Sequence, residues 1–258
     1  MKNSNVSAKS RGVLLFAFNT KSIDYERIAQ QARRLITHNL RLPVTIITDA
    51  DVDNVFKNHK NLDQPEWRNG DRWRAYELSP YDETLLIDSD YLMLDNSLLK
   101  LFDQDFNYRL QHHNEMINEV NEFRMGIMGL PYVWATAILF RKTSRTKQLF
   151  DLVGRIQRNY SYYRQLYHIS ESNFRNDYAF AIANNLLNGY DLSIRTSVPW
   201  TMLTIDKNIN AIEIKNNNII IRQHGHAHVL PRQNIHIIDK QYLLSTDYDK
   251  FVDAVCQN

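Results

Sequence analysis

Short unbroken apolar runs alternate along the chain with stretches in which apolar residues recur every three or four positions. The run GVLLFAF (12–18) gives way to the polar NTKS, which predicts a strand ending in a turn. From Ile23 to His38, Ile28, Ala32, Leu35 and Ile36 recur at helical spacing with charges between them. LPVTIITD (42–49) is β-branched and again closes on a polar residue. Strand, helix and strand make a βαβ unit. In open α/β sheets the ligand crevice lies beyond the carboxyl ends of the strands, which puts Asn19 and Asp49 on that edge.

The pattern continues in the same alternation. WRNGDRWRAYEL (67–78) reads as a turn leading into a helix, TLLID (84–88) as the next parallel strand, and SLLKLFD (97–103) as a short helix. The 112–131 segment, polar and then Met- and Gly-containing, reads as a loop that orders on binding. VWATAILF (133–140) is a strand, followed by helical stretches near 142–163 and 174–188. AIEIKNNNIIIR (211–222) is a hairpin with an asparagine turn, HGHAHVLPRQ (224–233) follows it, and 246–256 forms a closing helix. The fold class expected is α/β, a Rossmann-type mixed sheet flanked by helices, in a single domain over 1–258. Its expected parts are a nucleotide-binding half (12–95), an acceptor half carrying a metal and phosphate segment at its end (96–232), and a closing tail (233–258).

TLLIDSDYLMLDN holds the first candidate chemistry. Residues i and i+2 of an extended segment point the same way, so Asp88 and Asp90 present two carboxylates on one face, repel each other, and raise one pKa. A hard divalent cation relieves that conflict, and carboxylate oxygens suit Mg²⁺ or Mn²⁺. A solvated turn in which Ser89 and Asp90 cap the next element is the competing reading. The strand-end position favours the cation. His224, His226 and His228, also spaced by two, could form a three-histidine zinc site or an exposed hairpin edge. One of them joining the two aspartates is the more economical arrangement.

Composition narrows the class without naming it. With 43% apolar and 23% charged residues, the chain is that of a soluble globular protein, and a net charge of +2 leaves any basic surface local. The single cysteine, Cys256, rules out a disulfide framework and fits a reducing, cytoplasmic setting. The opening MKNSNVSAKSRG lacks the apolar core of a signal peptide, and no apolar run reaches membrane-spanning length, so no membrane partner is expected. Seven glycines, with neither a Walker motif nor G-x-G-x-x-G, argue against a glycine-rich phosphate loop.

At this point the motifs LLFAFNT…DYERIA, LPVTIITD and, most specifically, LSPYDETLLIDSDYLML resemble the nucleotide-sugar glycosyltransferases of GT-A fold. The likeness is to the glycogenin-like group and to small bacteriophage-encoded glycosyltransferases, and it spans most of 12–232. It implies a hexosyl- or pentosyltransferase using a nucleoside diphosphate sugar, a UDP-sugar foremost, with Mn²⁺ or Mg²⁺ held by Asp88 and Asp90. In such enzymes a histidine near the C-terminal end completes the metal shell, followed by a basic residue on the phosphates. HVLPR makes His228 that ligand, with His226 as the alternative, and Arg232 the phosphate partner. Here the sequence departs from the family, where a lysine often stands four residues after the histidine.

The same resemblance implies a nucleotide edge at Phe18, Asn19 and Thr20, with Tyr25 against a base. Asp49, Asp88 and Ser89 would reach base or ribose, and Arg72 or Arg74 the diphosphate. Trp134 and Thr136 would line the sugar pocket. Asp177, with Asn176 beside it, is the expected catalytic acid group: a general base if the enzyme inverts, a holder of the donor sugar if it retains. For each of Tyr25, Asp49, Trp134 and Asp177 a packing or capping role is the alternative.

From Arg141 to His168 the chain carries seven basic residues against one acid, Asp151, with four interleaved tyrosines. Such a face fits phosphates and bases, with Arg155 and Arg158 as acceptor-binding candidates. Together with the phage-like resemblance it suggests a hydroxymethylated DNA base as acceptor, flipped out of the duplex, in the cytoplasm of an infected host. An amphipathic helix with a solvated basic face is the alternative. Transfer to protein or glycan, a non-catalytic nucleic-acid-binding module, and a zinc hydrolase built on the histidines are the competing functions.

Overall fold

RGVLLFA forms β1 (Arg11–Ala17), whose unbroken apolar run is buried on both faces, as the central strand of a parallel group requires. A computed structural model describes residues 9–52, 70–117, 119–121, 124–125, 129–191, 196–206 and 208–257. After β1 come α1 (Tyr25–Leu40), β2 (Val44–Thr48), a 3₁₀ turn (Arg72–Arg74), α2 (Ala75–Leu78), β3 (Glu83–Asp88), β4 (Tyr91–Leu92) and α3 (Leu99–Phe102). Next are β5 (Tyr108–Gln111), β6 (Asn114–Met116), β7 (Glu119–Asn121), β8 (Arg124–Met125), β9 (Leu130–Pro131), β10 (Trp134–Arg141), α4 (Ser144–Arg158), α5 (Tyr160–Leu166) and α6 (Asn176–Leu187). The chain closes with β11 (Met202–Ile205), β12 (Ile209–Lys215), β13 (Asn218–Gln223), β14 (His226–Pro231), β15 (Ile235–Ile237), α7 (Lys240–Leu243) and α8 (Thr246–Gln257).

The main sheet runs β2-β1-β3-β10-β5. β1 lies parallel to β2 and β3, with Val13 opposite Val44 and Leu85, and β10 is antiparallel to both β3 and β5. This is the mixed α/β sheet expected. Helix α1 covers one face through Ala29, Ala32 and Ile36, after Asp24 caps its first turn by accepting from the Arg27 amide (2.9 Å). Its opposite stripe, Ile28 and Leu35, packs in a second core with Tyr248 and Val252 of α8, which Arg27–Asp249 and Arg34–Asp253 ion pairs border. On the other face α4 and α6 pack with Phe140, Phe150 and Phe180 in contact.

A second sheet, β4-β15-β11-β6-β7, begins where the first one ends, because only Ser89 and Asp90 separate β3 from β4. The 112–131 segment, expected as a loop, contributes β6 and β7 to that sheet and a β8–β9 ladder. Residues 118, 122–123 and 126–128 of that segment, residues 67–69 of the expected turn, and residues 1–8 lie outside the described residues. The asparagine hairpin is present: Asn216 and Asn217 both take positive φ (52° and 58°), the geometry that joins β12 to β13 tightly. Among the described residues no helix is long and apolar enough to cross a membrane.

Candidate active site

The Asp88–Ser89–Asp90 link carries the chain from one sheet to the other. β15 runs antiparallel to β4, with His236 opposite Tyr91, and the Ile237 amide donates to the Asp90 carbonyl (2.9 Å). This ladder brings His236 to the aspartates, so that one ligating atom each from Asp88, Asp90 and His236 all lie within 4.8 Å of one another. His236 Nε2 is 3.6 Å from Asp90 Oδ1. Its Nδ1 is 3.2 Å from Thr204 Oγ1, and that hydroxyl donates its own hydrogen to Asn114 Oδ1 (2.5 Å). A hydroxyl has one hydrogen to give, so Thr204 accepts from Nδ1–H and leaves Nε2 as the ring atom that faces the carboxylates.

The two carboxyls are driven apart electrostatically. Burial opposes charge on Asp90, but Lys240 and His236 outweigh it and hold this carboxyl well below the usual range. Lys240 Nζ donates to Asp90 Oδ2 and to the carbonyls of Ile237 and Ile238 (both 3.2 Å). Asp88 moves the other way: burial raises it, Arg72 offsets part of that, and Asp90 adds repulsion. Arg72 donates to Asp88 Oδ1, yet its Nε and Nη2 are buried with no acceptor, and Asp90 Oδ1 is buried with no donor. Buried groups left this way are costly unless a ligand completes them. An ionised carboxylate oxygen, a second carboxylate and an imidazole lone pair fit a divalent cation such as Mg²⁺ or Mn²⁺.

These residues head a cleft of about 500 Å³. Phe18, Tyr25, Arg72, Asp88, Ser89 and Asp90 line it, as do Trp134, Thr136, Asn176 and Asp177. Tyr25 is pushed upward by burial and then by the charges of Asp90 and Asp88. Asp177, in the first turn of α6, accepts from the Ala135 amide (3.0 Å) and from Arg175 Nε (3.0 Å), and bonds the Tyr132 hydroxyl. Burial disfavours the Arg175 charge, and Asp177, Tyr132 and Tyr178 together more than offset it. Asp177 is thus a carboxylate fixed in the wall by three donors.

Arg72 is positioned from behind. Its neighbour Trp73 lies against Gly154 of α4, where a Cβ would come within 2.8 Å of the ring, and the Arg158 guanidinium sits 5.4 Å from the centre of that ring. Only a glycine lets the helix approach the 3₁₀ turn so closely.

Several expected site residues lie elsewhere. The Asn19 side chain exchanges two hydrogen bonds with Glu26 (both 3.1 Å), its amide donates to Asp49 Oδ2 (3.1 Å), and Thr20 Oγ1 accepts from the Ser22 and Ile23 amides. These groups build the turn into α1. Arg74 does not line the cleft. Arg232 donates to the Leu94 carbonyl (2.6 Å) and to Asn39 (3.3 Å). His226 and His228 pair along β13 from β14, and His224 occupies the preceding turn at φ 51°, so the three do not share one extended face. The histidine that joins the aspartates is His236, and the base that follows it is Lys240. That pair carries the spacing sought in HVLPR, a histidine with lysine four residues on, and HIIDK displays it.

Five of the seven basic residues of 141–168 have partners within the chain, although Lys142 and Lys147 stay exposed. Arg141 pairs with Glu83, Lys142 donates to the Ser79 carbonyl, Arg145 to the Leu187 carbonyl, Lys147 pairs with Asp151, and Arg164 donates to the Ile169 carbonyl. Arg155 and Arg158 stand exposed on α4, outside the cleft.

No protein-family model and no curated protein matches the chain. Among solved structures it is similar to the apo form of the glycosyltransferase GlyE of Streptococcus pneumoniae TIGR4, at 16% identity over 69% of this chain and 43% of that one, TM-score 0.35. It is also similar to the galactosyltransferase LgtC in complex with donor and acceptor sugar analogs, at 17% identity over 68% of this chain and 70% of that one, TM-score 0.39. The chain therefore spans less than half the length of GlyE. At superpositions this loose the reading of the site rests on its own residues.

Proposed function

We propose that this protein is a metal-dependent glycosyltransferase that moves a sugar from a nucleoside diphosphate sugar to a hydroxyl. The observation that carries it is the Asp88–Asp90–His236 group, flanked by Arg72 and Lys240 in a cleft that Trp134, Thr136, Asn176 and Asp177 also line. Asp88, Asp90 and His236 would hold Mg²⁺ or Mn²⁺, which supplies Lewis-acid stabilisation of the departing diphosphate. The rest follows from the chain's own groups. Arg72, with two unengaged donors, and Lys240 offer positive charge where a diphosphate gathers it. Lys240 keeps Asp90 ionised, and Thr204 keeps His236 Nε2 turned inward. Asp177, held by the Ala135 amide and Arg175, offers the cleft a fixed carboxyl group to orient sugar hydroxyls.

In its fullest form the proposal takes UDP as the nucleotide and a hydroxymethylated base in DNA as the acceptor. Sequence resemblance supports both, and the exposed Arg155 and Arg158 support the second. Thermal shift with a panel of nucleoside diphosphates, with and without Mn²⁺, tests the donor site, and mass spectrometry of incubated donors and acceptors tests transfer. A protein that no nucleoside diphosphate stabilises would not be a transferase of this kind.

A further inference from the structure

Among the described residues four large apolar side chains are markedly exposed, and three of them, Tyr162 (63%), Leu166 (50%) and Tyr190 (43%), gather around Tyr167. Tyr162 and Leu166 are one turn apart on α5. The rings of Tyr162 and Tyr163 meet at 5.3 Å, and the Tyr190 hydroxyl lies 2.7 Å from that of Tyr167. Tyr190 adopts φ 62°, directly after Gly189 at φ 64°. That left-handed backbone is unfavourable for a bulky side chain, and an exposed residue gains no core packing in return. What the conformation secures is the position of the ring beside Tyr167.

The stretch of chain that carries Tyr162 and Leu166 is basic. No acid occurs from Leu152 to Ser170, whereas Arg155, Arg158 and Arg164 do; the flanking acids are Asp151, paired with Lys147, and Glu171 and Asp191. The surface also continues into the cleft. Arg164 and Tyr160 donate to the carbonyls of Ile169 and Glu171 (both 3.1 Å), and the Tyr160 ring packs edge-on against Phe174. The segment so held runs directly into Glu171, Asn173 and Arg175 of the cleft wall.

We infer that the Tyr162–Leu166–Tyr190 surface is a docking platform for single-stranded nucleic acid, its exposed rings stacking bases and Arg155 and Arg158 meeting phosphates. Exposed rings interleaved with arginines, with one aliphatic residue among them, suit a strand better than an apolar lipid face. Binding stands by itself; that the strand presents the acceptor hydroxyl rests on the transferase reading above.

The test is fluorescence anisotropy of a labelled oligothymidylate on the full chain across a salt series. Binding is expected to weaken steeply with salt, and Arg155→Gln to reduce the salt slope by about one. Arg155 is the cleaner probe because Arg158 touches Trp73. Tyr162→Ser combined with Tyr190→Gly is expected to weaken binding roughly tenfold or more. Glycine suits the left-handed backbone, so the fold is retained. Both variants should keep the nucleotide-and-Mn²⁺ thermal shift of the parent. No oligonucleotide binding at low salt, tyrosine variants that bind like the parent, or stronger partition onto phosphatidylserine vesicles than onto the strand would each overturn the platform. Oligonucleotide binding without any nucleotide shift would reject the transferase reading and leave the platform standing.

Discussion

His236 and Asp90 meet across the β4–β15 ladder, Nε2 to Oδ1 at 3.6 Å, with the imidazole turned by Thr204 behind it. Strand pairing sets the distance and a hydroxyl sets the tautomer. Asp90→Ala and His236→Ala should each abolish the Mn²⁺-dependent part of a nucleotide thermal shift, while His228→Ala should leave it intact. Thr204→Val should weaken Mn²⁺ binding by about 10–100-fold, read by metal titration. Unchanged Mn²⁺ affinity in Thr204→Val would remove the tautomer argument.

Gly154→Ala should act on the donor end of the cleft from behind. The new methyl must displace Trp73 and with it the turn that carries Arg72. The expected result is a donor KM raised on the order of tenfold with a smaller change in kcat. A variant with parental kinetics would show that the turn has slack.

Glu83 is the buried hub of the β1–β3–β10 edge, its side chain 3% exposed, accepting from Arg11 (2.9 Å) and Arg141 (2.7 Å). Glu83→Gln leaves Arg141 only the exposed Asp105 carboxylate, 3.8 Å away. Since Arg11 is half in water, the expected loss is about 3 kcal/mol, or roughly 10 °C in Tm by calorimetry.

His112 provides a pH signature apart from the cleft. Its Nδ1 donates to the Tyr132 carbonyl (2.8 Å) and its Nε2 is buried without a partner. Burial lowers its pKa to about 4, the Tyr132 bond acting against this and neighbouring His113 with it. The unfolded chain, titrating near 6.5, binds more protons between those values, so stability is complete above about pH 6.5 and falls as pH drops towards 4. The slope should approach ~1.4 kcal/mol per pH unit in that window. Urea melts at pH 7.5 and pH 5 would measure it, and His112→Gln should flatten the difference.

The strand–helix–strand opening, the β3 and β10 strands and the helices of the second half were legible because each carries a full repeat of its pattern. β11 and β15 were not, since MLTI and IHI are too short for any period to register. That gap displaced the histidine assignment: without β15, the conspicuous HGHAHV drew attention from the single histidine of IHI. Asn19, Thr20 and Asp49 stood at strand ends, where ligands bind, but strand ends also need turn-makers, and the hydrogen bonds of these residues go to the turn. The basic run of 141–168 overstated the surface charge, because formal charge counts an arginine the same whether it faces water or a carbonyl.

The hairpin between β12 and β13 closes at Asn216–Asn217, whereas His236 takes its place from β15 lying on β4. The tip of that hairpin therefore lies outside the strand ladder that places the histidine, although the Arg232 amide donates to the Asn217 carbonyl (3.0 Å). Sequence can be added there, as a tag, a reporter or a whole recruited module, without changing the register that brings the histidine home. In a lineage of such proteins this tip is where novelty would accumulate first.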